Sequence, residues 1–97
     1  MQEEAFDRTF LRIEVDALQA LTSVGIVLQV MSTENKGAAL VYIEGAELSY
    51  KAAEDALGQL VDQLGQPGVR LHHLKVTSLH NLLRVASRIL TPLKKLV

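Results

Sequence analysis

The sequence predicts an α+β fold, a two-layer sandwich in α-β-β-α-β-α order with a three-stranded sheet. Three observations carry that expectation. Two apolar, β-branched runs, Gly25 to Met31 and Ala38 to Ile43, flank a polar stretch whose Asn35 and Gly37 suit a hairpin connection. Tyr50, Ala53, Leu57, Leu60, Val61 and Leu64 then recur at helical spacing behind Ser49. A further β-rich run, Val69 to Thr77, precedes an amphipathic C-terminal segment.

In chain order, the first element reads as a long helix. Phe6, Phe10, Ile13, Ala17, Ala20, Leu21 and Val24 share one face, Glu3 and Glu4 sit where the helix dipole favours acids, and Gly25 is placed to stop it. Thr9 to Val15 also alternates as a strand would. That leaves a ferredoxin-like βαββαβ plus C-terminal helix as the alternative, although the remaining Asp16 to Ser23 is short for a crossover. The hairpin follows, joined by Ser32 to Gly37. Ser49 is placed to cap the second helix, with Leu48 as its hydrophobic staple, and Gly65 with Pro67-Gly68 to end it. Ser78 is placed to cap the last helix. Its apolar arc is Leu79, Leu82, Leu83, Ala86, Ile89, Leu90, Leu93 and Leu96, and Pro92 is expected to kink it.

Ninety-seven residues make one domain, residues 1–97, with a modest core. Four aromatic residues (Phe6, Phe10, Tyr42, Tyr50) leave that core to aliphatic side chains and provide few platforms for stacking on bases or sugars. The chain contains no cysteine, so disulfides and thiolate metal sites are excluded. No run of about 18 consecutive apolar residues suggests a transmembrane segment, and the acidic N-terminus is unlike a signal peptide. The expectation is a cytoplasmic protein.

Charge is segregated along the chain. Residues 1–66 carry all 11 acids and a net charge of −7, whereas residues 67–97 carry six bases, all three histidines, no acid and a net charge of +6. Such asymmetry bears on association rather than on fold. Either the basic third pairs with the chain's own acidic helices, or it binds something anionic.

No catalytic motif is present: there is no nucleophile elbow or phosphate loop, and the paired acids Glu3/Glu4 and Glu54/Asp55 read as solvated helix faces. No cofactor is expected. His73 and His80 are weak candidates for a metal site, but no carboxylate follows Asp62 to complete it. The expected function is that of a small non-enzymatic interaction or regulatory domain. It would self-associate, as a homodimer, and bind a protein partner through its basic amphipathic C-terminal helix. Leu82, Leu83, Ile89 and Leu90 would anchor the partner, and Arg84, Arg88 and Lys95 would orient it. One alternative is a nucleic-acid-binding module contacting phosphates with Arg70, Lys75, Arg84, Arg88, Lys94 and Lys95; an anionic membrane surface would suit the same cations. Another is a metal- or small-ligand-sensing domain using His73 and His80.

Overall fold

Long heptad patterns organise the chain. Phe6, Phe10, Ile13, Ala17, Ala20, Val24, Val27 and Met31 alternate spacings of four and three without a break, as do Ala39, Ile43, Ala46, Tyr50, Ala53, Leu57, Leu60 and Leu64. Val76, Leu79, Leu83, Ala86, Leu90 and Leu93 continue the same rule. Such a seam turns one stripe of each helix towards its neighbours. The computed structural model describes residues 2–31 and 35–96, and it places these seams on three helices: α1 (Glu3–Met31), α2 (Lys36–Leu71) and α3 (His73–Leu96).

The α+β expectation is thereby overturned: the described residues contain no strand. Gly25 to Met31 forms the last turns of α1, and Ala38 to Ile43 the first turns of α2. The third expected strand divides, with Val69 to Leu71 closing α2, His72 turning the chain and His73 to Thr77 opening α3. The ferredoxin-like alternative fails as well, because Thr9 to Val15 is helical. Valine and isoleucine cost a helix only about 0.5 kcal/mol each relative to alanine. Burial of Val24, Val27 and Ile43 on the seam outweighs that preference.

The ends of the helices shift accordingly. Ser49 and Ser78 lie inside helices and cap nothing, and Leu48, the expected staple, is exposed. Asn35 caps α2 instead, its side-chain oxygen accepting from the Ala38 N–H at 3.1 Å. The rest of the expected hairpin loop, residues 32–34, lies outside the described residues. Gly65 does break α2, with φ 65° and ψ 176°, a conformation reserved for glycine. The chain then resumes as a short helical turn instead of a strand, with Pro67 in its opening turn, where a missing N–H costs little. α3 runs through Pro92 to Leu96.

The three helices run up, down and up, in a bundle measuring 49 × 20 × 16 Å. α1 and α2 pack most closely. Ala17, Ala20, Ala39, Ala46 and Ala53 are fully buried along the bundle and allow close backbone approach. α3 lies in the groove of that hairpin, parallel to α1. Its Val76, Leu79 and Leu83 join the core with Phe6, Ile13, Leu57 and Leu60 at the end where α1 begins. Leu90 and Leu93 join Val24, Val27, Ala39 and Ile43 at the other end.

Candidate interaction surfaces

α3 spends its seam on this core, and its other faces decide what it can bind. Leu83 and Leu90, two of the expected partner anchors, are 5% and 4% exposed and belong to the two core clusters. Leu82 and Ile89 are half-buried at the flank of the same clusters. Arg84, Arg88 and Lys95 are exposed along one stripe of α3, with His80 a turn below Arg84. From Arg84 to Lys95 this cationic ridge is about 17 Å long, at 1.5 Å of rise per residue.

The bundle divides the basic third into two groups. Lys75 reaches Asp7 on α1 at 3.4 Å, and its ammonium lies 5.6 Å from the ring centroids of both Phe6 and Phe10. Lys94 pairs with Glu47 on α2 and encloses one of its carboxylate oxygens. His72, at the turn into α3, stacks on Phe6 with centroids 3.8 Å apart, and its Nε2 lies 3.5 Å from Glu3. These contacts tie the basic third to the chain's own acids. Arg84, Arg88 and Lys95 form no ion pair among the described residues.

Between α2 and α3, the Tyr50 hydroxyl is held above its ordinary pKa of 10.0, first by donating to the Glu54 carboxylate and then by burial. Ser87 opposes the shift from across the groove. The contact is local and well satisfied.

The histidines are not gathered into a site. His73 and His80 stand two turns apart on one face of α3, about 10 Å along its axis. No group of three or more metal-ligating side chains occurs among the described residues. The surface depressions are open grooves. One, lined by Thr9, Arg12, Asp16, Asp55, Gln59 and Gln63 with their neighbours, follows the contact of α1 with α2. Another is a patch of α3 alone around Leu74, Asn81, Leu82 and Val85.

The sequence reading missed the outer face of α1. Leu11, Val15, Leu18, Thr22, Gly25 and Gln29 repeat the four-and-three spacing opposite the core seam. Leu11, Val15 and Leu18 are 57%, 45% and 46% exposed. No charged residue occurs on α1 after Asp16. The helix is long and apolar enough to cross a membrane by length and composition, and only 28% of its most apolar stretch is buried. The signal is present in the sequence as a second heptad, masked by the stronger apolar stripe on the inner face. No family model, curated protein or solved structure matches this chain.

Proposed function

We propose that this chain is a non-enzymatic helical interaction domain that self-associates and presents the cationic ridge of α3 to an acidic segment of a second protein. The observation that carries this reading is the division of its cations. Lys75 and Lys94 are engaged by the chain's own acids, and Arg84, Arg88 and Lys95 face outward along one stripe of α3, apart from the exposed Arg70 near the end of α2. Arginine presents a planar fork that matches carboxylates, and exposed complementary charge sets partner choice and association rate more than affinity. Val85, 47% exposed and one turn before Arg88, supplies apolar contact beside the ridge.

The test is to place a photo-cross-linking side chain at His80, on the ridge, and compare the parent chain with the Arg84→Glu, Arg88→Glu double variant in cells. Protein adducts that vanish on charge reversal are the expected result. Adducts that persist would remove the ridge from the reading. A mobility shift with duplex DNA that collapses between low and physiological salt would favour a nucleic-acid module instead.

A further inference from the structure

We infer that the outer seam of α1 is the self-association surface, and that a second copy covers it by antiparallel pairing about a two-fold axis near residue 20. The inference deepens the proposed self-association by naming its surface and its orientation.

The seam has two unlike halves. Leu11, Val15 and Leu18 are large and apolar, whereas Thr22, Gly25 and Gln29 are small or polar. Antiparallel pairing about residue 20 sets Leu11 against Gln29, Val15 against Gly25 and Leu18 against Thr22, so each large side chain meets a smaller one. Parallel pairing would set leucine on leucine and leave Gly25 facing its own copy across a void, and interfaces pack best when volumes interdigitate.

Two local features suit such a contact. A Cβ built at Gly25 meets nothing within 4 Å, so its backbone is open to a neighbouring side chain. The Thr22 hydroxyl donates to the Leu18 carbonyl at 2.9 Å, so it could be covered without losing a partner.

Charge fits the same orientation. The end where α1 begins sets Glu3, Glu4 and Asp7 against Arg8, Arg70 and Lys75, whereas the opposite end carries Lys36, Lys94 and Lys95, with Lys94 paired to Glu47. Antiparallel copies place the balanced end of each beside the basic end of the other, whereas parallel copies would set the two basic ends side by side.

The absence of native cysteine makes the test direct. Val15→Cys and Gly25→Cys chains are mixed, oxidised and analysed beside each variant alone, with sedimentation of the parent chain and with Leu18→Lys checked for helicity by circular dichroism. The expected result is a parent dimer, a disulfide in the mixture that is absent from either variant alone, and a helical Leu18→Lys monomer. A parent chain that stays monomeric overturns both this inference and the proposed self-association. A dimer in which Val15→Cys cross-links to itself, or in which no pairing cross-links, overturns only the surface or the orientation. Transfer of the parent chain from dimer to phosphatidylglycerol vesicles, blocked by Leu18→Lys, would assign the seam to a lipid surface and overturn the inference.

Discussion

At the end of the bundle where α1 begins, Phe6, Ile13, Leu57, Leu60, Leu79 and Leu83 fill the core beside Val76, Ala17 and Ala53; at the end where α2 begins, only Ile43, Leu90 and Leu93 are as large, beside Val24, Val27, Ala39 and Ala46. The first end is also closed from outside, by the His72 ring on Phe6 and the Lys75 ammonium beside Phe6 and Phe10. The second end has one cross-helix ion pair, Lys94 with Glu47. Large side chains remove more apolar area from water and interlock more contacts, so the two ends should differ in local stability although they belong to one helix bundle. Heptad spacing alone therefore does not set stability: the same repeat holds two cores of different depth.

The largest effects should come from the aromatic end. Phe6→Ala should cost about 3–5 kcal/mol in denaturant unfolding, because it empties a fully buried site and removes the stacking partner of His72. Val27→Ala, at the other end, should cost about 1.6 kcal/mol for two methyl groups at about 0.8 kcal/mol each. Equal losses at the two positions would erase the contrast. Gly65→Ala tests the break near the end of α2: a side chain at φ 65° and ψ 176° should cost about 1–3 kcal/mol, with the helical content of α1 preserved.

The ion pairs sharpen the contrast in the opposite sense. Lys94→Met strands an enclosed Glu47 oxygen and should cost about 1–2 kcal/mol, whereas Lys75→Met opens an exposed pair with Asp7 and should cost less than about 1 kcal/mol. Equal costs would show that water reaches Glu47. The smallest effect is a pH dependence at the boundary of the two cores. The folded chain keeps the Tyr50 proton more tightly than the unfolded chain, whose tyrosine titrates near 10.0, so its contribution is complete below that pH and is lost as pH rises through the folded value. Tyr50→Phe should flatten the fall in stability above pH 10, measured by chemical denaturation.

The sequence carried more of the fold than its strand-like runs suggested. Phe6 to Val24 was legible as one helical face, and extending the same spacing to Val27 and Met31 would have carried α1 through the expected strand. Ala39, Ile43 and Ala46 stand likewise in phase with Tyr50 and Ala53. A short apolar run such as Ile26-Val27-Leu28 fits either secondary structure, and the phase it shares with its flanks decides between them. Capping chemistry misled for a related reason: Ser49 and Ser78 are good caps, but a helix starts where its seam starts. Gly65 was read correctly as a break because Pro67 and Gly68 follow it, whereas Gly25, with the same conformational freedom, continues α1. The ridge of Arg84, Arg88 and Lys95 was equally visible, since their spacing places them on one stripe of any helix.

By itself, then, the amino-acid order determined which residues share a helix face, where α2 breaks and how charge divides between the first two-thirds and the last. Only the folded bundle decided that Leu83 and Leu90 are core, that Lys75 and Lys94 meet acids while Arg84 and Arg88 do not, and that Leu11, Val15 and Leu18 lie outside the core. Spacing fixes the angle of a side chain about its own helix, but burial and pairing depend on where the other helices lie, and α3 can fill only one side of the α1–α2 hairpin.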